Sequence, residues 1–282
     1  MKISEFIWDE IVHGGHWGSL STVGVALSTV LLLDVPLKPE FIFIVYFGTL
    51  SIYTYNHLAE IEVDRITNPQ RVTHLEKYSS IIPWLVLSYI AIFSLLLLIR
   101  GNVHSMIIGF TLLILGLSFN RLGKRLTKRI VGFKTLYTAL SWSFLIIFTT
   151  VYHLDYIPPC IFFLMFFSFL RFVIGTSYCD LKDLDSDKSM GVLTLPTVLG
   201  KEKFLSFLSF INLFSLIPLL IAIGFGYLPV FSFILVYHFF YSFYYIVKAR
   251  STIDVTRLCY IMVDGEFIPW PLLLLIGRIL IA

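Results

Sequence analysis

Residues 41–65 read FIFIVYFGTLSIYTYNHLAEIEVDR. An apolar run long enough to enter hydrocarbon as a helix gives way to Asn56, Glu60 and Asp64, spaced four residues apart. On a helix, steps of four keep such side chains within about a quarter turn of one another. The stretch thus reads as a membrane helix ending in a stripe of oxygen-bearing side chains. By itself that stripe is equally a wet helix end or half of a metal site.

The rest of the chain supports the membrane reading. Of 282 residues, 57% are hydrophobic and only 14% charged, and mean hydropathy is +0.87. Soluble domains carry about 25% charged residues, so this chain lacks the polar surface to face water all round. A helix needs about 20 apolar residues to cross the hydrocarbon. Nine stretches qualify, at roughly 18–36, 39–58, 80–99, 103–119, 132–153, 157–179, 204–223, 227–247 and 266–281. Tight connections such as Gly101-Asn102 imply helical hairpins, and no long polar linker divides the chain. The expected fold is an all-α polytopic membrane protein, one domain over 1–282, with nine helices bundled around a central cavity.

Charge gives an orientation. Arg65, Arg71 and Lys77 follow span two, and Lys124, Arg125, Lys128, Arg129 and Lys134 follow span four. Lys182, Lys188, Lys201 and Lys203 follow span six, while Lys248, Arg250 and Arg257 follow span eight. Cytoplasmic loops concentrate Lys and Arg, so the N-terminus and the acidic stripe are expected on the cytoplasmic side. The opening MKISEFIWDEIVHGGHW lacks a signal-peptide core and reads as a short interfacial helix. A net charge of +3 gives no basis for nucleic-acid binding. Cys160, Cys179 and Cys259 show no C-x-x-C spacing, so neither a disulfide framework nor a zinc site is expected.

A second stripe stands at the end of span six, in YCDLKDLDSDKSMGVLTLP. Asp180, Asp183 and Asp187 are spaced i, i+3, i+7, one face of a helix, on the same expected side of the membrane. Ionisable groups at the edge of apolar spans are costly and usually functional. Crowded carboxylates need cations, and hard oxygen donors select magnesium or calcium. Magnesium takes one or two carboxylates and completes its shell with water and phosphate oxygens. Two acidic stripes beside basic loops therefore suggest a diphosphate held between them.

These motifs resemble those of the UbiA superfamily of intramembrane prenyltransferases. Its first motif, N-D-x-x-D-x-x-x-D followed by R and P-x-R-P, is similar to Asn56-His57-Leu58-Ala59-Glu60-Ile61-Glu62-Val63-Asp64-Arg65 with Pro69 and Arg71. Its second, D-x-x-D-x-x-x-D with a basic residue, G and T-L-P, is similar to Asp180, Asp183, Asp187, Lys188, Gly191, Thr194, Leu195 and Pro196. The resemblance implies two magnesium ions clamping an isoprenyl diphosphate donor, whose prenyl group passes through an allylic cation to a hydrophobic acceptor in the membrane. It implies metal ligands Asn56, Glu60, Asp64, Asp180, Asp183 and Asp187, with Asp64, Asp183 and Asp187 as catalytic residues. Contacts to the diphosphate are implied for Asn56, Arg71, Lys124, Arg125 and Lys188. Arg171, about two turns inside span six, is a further candidate to reach the phosphate. The chain departs from the pattern at His57, Glu60, Val72 and Phe119, and at Cys179, where a lysine is frequent. These departures leave the acceptor open.

Two other readings stay open on the residues alone. One is an intramembrane terpene cyclase on the same scaffold. The other is a transporter or lipid-binding protein, although transporter sites lie nearer the bilayer midplane. Tyr53 and Tyr55, just above the first stripe, are candidates to line the cavity. His13 and His16 read as interfacial residues and His238 as a hydrogen-bonded core residue. Asp264 and Glu266, before the last span, are candidates for the cavity mouth.

Overall fold

The computed structural model describes residues 3–252 and 255–281, which are helical with no strand among them. An amphipathic helix, α1 (Ile3–His13), precedes α2 (His16–Leu33) and α3 (Pro39–Ala59). Two short helices follow, α4 (Ile61–Thr67) and α5 (Pro69–Leu75), then the hairpin α6 (Ile82–Arg100) and α7 (Val103–Ser118). A π-helical turn (Phe119–Gly123) and α8 (Lys124–Thr127) lead to α9 (Phe133–His153) and α10 (Cys160–Cys179). The second half holds α11 (Leu184–Met190), α12 (Leu195–Leu199), α13 (Lys201–Phe214) and α14 (Leu216–Gly224). A 3-10 segment (Val230–Val236) runs into α15 (Tyr237–Ser251), and a π-helical segment (Leu258–Val263) precedes α16 (Trp270–Ile281).

Helix covers much of each expected span, but not as uniform rods. Among the described residues, six helical stretches are long and apolar enough to cross a membrane. The stretch expected over 204–223 is broken at Ser215 between α13 and α14. Pro218 explains the break: it has no N–H for the carbonyl of Phe214 and its ring crowds that carbonyl. The stretch expected over 227–247 starts as 3-10 helix after Pro229. α16 has only 12 residues, about 18 Å of helix.

The core lies where α2, α3, α9 and α10 meet, with α6 and α7 flanking α3 and α9. The outer surface of α6 exposes Trp84, Leu87, Leu95, Leu98 and Ile99, as a helix facing lipid does. Gly24 allows α2 its closest approach, since a Cβ there would sit 2.1 Å from the Phe267 carbonyl oxygen.

α1 packs against α5 and the start of α2 and exposes Ile3, Ile7 and Trp8. Gly15, at φ 97°, turns the chain from α1 into α2. Glu10 clamps α1 to the segment after the first stripe, receiving hydrogen bonds from Tyr78 (2.6 Å) and His74 (2.7 Å), with His16 at 3.2 Å. Burial opposes its ionisation, but these hydrogen bonds outweigh burial and hold its carboxyl down at about 2. Burial, joined by the nearby Arg71 guanidinium, pulls the His13 imidazole down to about 4 from 6.5. The folded state thus keeps His13 neutral where the unfolded chain takes up a proton, so stability present above pH 6.5 is lost as pH falls towards 4. The thermal midpoint in detergent is expected to drop across that window, and less steeply in His13→Gln; equal slopes would refute this origin.

Candidate active site

The first stripe survives a break in its helix. α3 ends at Ala59, and Glu60 leaves helical geometry at φ −108°, ψ 6°. The backbone nevertheless keeps the four-residue ladder: Glu60 N donates to Asn56 O (3.0 Å), Asp64 N to Glu60 O (2.9 Å) and Asn68 N to Asp64 O (2.7 Å). Asn56, Glu60, Asp64 and Asn68 therefore share one face. The second stripe is less regular. Asp180 caps α10, a turn follows, and Asp183 and Asp187 fall at the start of α11.

One cavity is lined by Asn56, Glu60, Asp64 and Arg71 from the first motif and by Asp180 and Asp183 from the second. A hydrogen-bonded bridge joins the two rims. Asn68 Nδ2 donates to Asp64 Oδ1 at 2.6 Å, and Asn68 Oδ1 accepts from Lys182 Nζ at 2.9 Å. Lys182 Nζ also lies 3.0 Å from both carboxylate oxygens of Asp183. Arg71 pairs with Asp64 Oδ2 at 3.1 Å, and its other nitrogen donates to Tyr260 Oη at 3.3 Å. Tyr260 donates in turn to Asn68 Oδ1. On the far side, Lys134 pairs with Asp180 at 2.8 Å and Thr135 donates to it at 3.3 Å.

Several expected residues lie elsewhere. Lys124 stands outside the lining, exposed, with Nζ 3.5 Å from Glu60. Arg125 and Lys188 are exposed and line neither cavity. Asp187 is buried, bonded to Thr194, with Oδ2 unpartnered and no place in the lining. Burial pushes its carboxyl up to about 7 although Lys134 opposes the shift.

Arg171 does not reach the cavity at all. It is fully buried, and its Nε donates to Glu266 Oε1 at 2.9 Å. Its other nitrogens donate to Asn212 (2.5 Å), the His238 carbonyl (3.0 Å), Ser242 and Glu266. A buried charge so fully paired has no donor left for a phosphate. Glu266 is thereby taken from the mouth, and only Asp264 of that pair lines the cavity. Burial raises the Asp264 carboxyl to about 6, against the pull of Arg71 and Lys182. The His238 ring nitrogens have no hydrogen-bond partner, unlike the expected core histidine.

Asn68, Lys134, Lys182 and Tyr260 enter the site without being singled out in the sequence. Asn68 had a signal, as the fourth member of the four-residue ladder. Cys179 and Cys259, expected to be unpaired, form a disulfide in the cavity wall, with Cα atoms 5.5 Å apart. The sequence hid it because 80 residues separate them.

The donor set suits magnesium. Five carboxylates, Glu60, Asp64, Asp180, Asp183 and Asp264, face Arg71, Lys134 and Lys182, with Asn56 adding an amide. Hard oxygens predominate and negative charge is in excess, while both cysteines are occupied by each other. A second, largely apolar cavity lies alongside, lined by Ile44, Val45, Ile52, Phe93, Leu113 and Phe148. Tyr53, Asn56, Phe119, Thr138 and Trp142 belong to both walls, with Tyr53 stacked on Trp142 at 5.9 Å. Tyr55 packs instead beside Leu75, Ile82 and Val86.

The chain resembles solved structures over nearly its whole length. A UbiA homolog from Archaeoglobus fulgidus, solved with GPP and Mg2+, matches with a TM-score of 0.68 and 14% identity over 94% of this chain and 98% of its own. The apo UbiA homolog from Aeropyrum pernix K1 matches at 0.66, with 13% identity over 93% and 97%. A digeranylgeranylglyceryl phosphate synthase matches at 0.62, with 16% identity over 98% of both chains. At such identities these likenesses speak to fold. No curated protein sequence matches. The family profile described as "UbiA prenyltransferase family" matches residues 19–263, and the chain belongs to that family.

Proposed function

We propose that the protein cleaves an isoprenyl diphosphate with magnesium and passes the prenyl group to a lipophilic acceptor within the membrane. The observation that carries this reading is the shared wall between a carboxylate-lined cavity and an apolar one. An isoprenyl diphosphate has that same division, a polyanionic head on a hydrocarbon tail. All nine apolar stretches cross the bilayer in this reading, and the Lys and Arg bias puts the polar cavity on the cytoplasmic side.

Asn56, Glu60 and Asp64 would hold one magnesium ion, and Asp180 and Asp183 a second. Bound there, the ions neutralise charge on the departing diphosphate and so ease cleavage of the allylic C–O bond. Arg71, Lys134 and Lys182 lie against these carboxylates, where they would be placed to hold the diphosphate oxygens. Asp187 acts from behind, through its field on Lys134. Tyr53 and Trp142 present aromatic faces to the allylic cation, and the apolar walls exclude water from it.

The tail cavity follows α3 from Asn56 to Ile44, about 18 Å at helical rise. Each isoprene unit adds about 5 Å when extended, so a three-unit tail fits and a four-unit tail reaches the far end only when slightly bent. Val45→Phe, at the far end, is expected to slow a four-unit donor by about ten-fold while sparing a two-unit donor; equal losses on both would refute this depth. The reading as a whole is tested by supplying one labelled allylic diphosphate and magnesium and identifying the product by mass spectrometry. A prenylated lipid is expected. A cyclic hydrocarbon formed without acceptor would overturn the transferase assignment.

A further inference from the structure

We propose that Cys179 and Cys259 form a reversible thiol–disulfide site in the cavity wall that sets how firmly the diphosphate end is held. The placement of the pair supports this. Cys179 is the last residue of α10, immediately before Asp180, and Cys259 immediately precedes Tyr260. Tyr260 hydrogen-bonds Asn68, accepts from Arg71, and has Arg71 and Lys182 over its ring at 5.4 Å and 5.6 Å. The bond therefore fastens the helix that delivers the second acidic rim to the segment that braces the first. Without it, the π-helical segment Leu258–Val263 keeps hydrogen bonds from Trp17 to the Ile261 carbonyl and from Tyr241 to the Met262 carbonyl, with Asn68 and Arg71 on Tyr260, but no covalent link between the two rims.

Both cysteines belong to the cavity lining and Cys179 is only half-buried, so a small thiol has access from that side. On the cytoplasmic side, where the proposed function places this cavity, disulfides are transient and redox-sensing rather than permanent. Exchange consumes two thiol equivalents. A dithiol reductant attacks one sulfur, the S–S bond breaks, both cysteines leave as thiols, and the reductant becomes a disulfide with two electrons and two protons transferred. Nothing else in the site changes composition; Tyr260 simply loses its covalent tether.

The test equilibrates purified protein with graded ratios of oxidised and reduced dithiothreitol. Alkylation with N-ethylmaleimide and mass spectrometry then counts free thiols, with Cys160 labelling in every state as the internal control. The expected result is a two-thiol transition at Cys179 and Cys259. On reduction, the affinity for inorganic diphosphate with magnesium, measured by calorimetry, falls about ten-fold, and KM for a four-unit donor rises in parallel with a smaller change in kcat. Cys179→Ser and Cys259→Ser hold the weaker affinity at every ratio. Two thiols free throughout, equal affinities in both states, or serine variants that still respond would each overturn the proposal. The alkylation and calorimetric arms need no turnover. Absence of turnover with those shifts present would overturn the prenyltransferase reading and leave the thiol site standing.

Discussion

Asp64→Ala and Asp183→Ala are each expected to lower diphosphate release from an allylic donor by about a thousand-fold or more. That corresponds to about 4 kcal/mol of lost transition-state stabilisation. The two residues stand on opposite rims yet belong to one connected system, Asp64 to Asn68 to Lys182 to Asp183. Removing either carboxylate strips charge from a proposed metal position and frees a cation, Arg71 in one case and Lys182 in the other. The freed cation can still attract the diphosphate, so substrate binding should weaken far less than turnover. Each carboxylate is paired with a cation, so thermal midpoints should fall, but kcat measured on the folded fraction should collapse, and that readout separates loss of catalysis from loss of fold. Asp64→Asn offers a sharper control. It keeps an acceptor for Asn68 but removes the charge, and is expected to be nearly as inactive as alanine. Release of diphosphate at the parent rate by both alanine variants would mean that the rims are not where the chemistry happens.

The site was legible in the sequence to the extent that its residues are close along the chain. Asn56, Glu60 and Asp64 could be placed together because helical backbone bonds carry the four-residue step through the break at Glu60. The same logic reached Asp180 and Asp183 in spite of the turn between them, while Asp187, one regular helical step beyond Asp183, is buried behind the lining. Residues that complete the site from a distance gave no such signal. Lys182 meets Asn68 across 114 positions, and Tyr260 meets it across 192. Spacing rules do not extend over such separations. Hydropathy marked the apolar stretches, of which six are helices long enough to cross a membrane among the described residues, whereas breaks followed from single prolines such as Pro218, whose effect is local and easily overlooked in a long apolar run.

Arg171 shows how a sound general rule can leave two outcomes. An intramembrane arginine defaults to a functional or a paired role, and here Glu266, 95 residues away, claims it. Large stability effects follow. With both side chains fully buried, Arg171→Met or Glu266→Gln leaves one partner without its counterpart, and each single change is expected to cost about 3–5 kcal/mol. The two effects should not add. Removing both charges relieves the stranded ion, so Arg171→Met with Glu266→Gln should be more stable than the sum of the singles predicts, by at least about 2 kcal/mol. Recovery stays incomplete, because Asn212, Ser242 and the His238 carbonyl also lose a charged donor, each worth about 1–3 kcal/mol when left unpaired. Denaturant titration of the four proteins in detergent gives the cycle. Kinetics on the folded fraction then decides what the pair is for: KM for the diphosphate should stay within about two-fold of the parent in every variant, since neither side chain lines the cavity. Additive losses in stability, or a KM that rises by orders of magnitude with Arg171 alone, would return this arginine to the substrate.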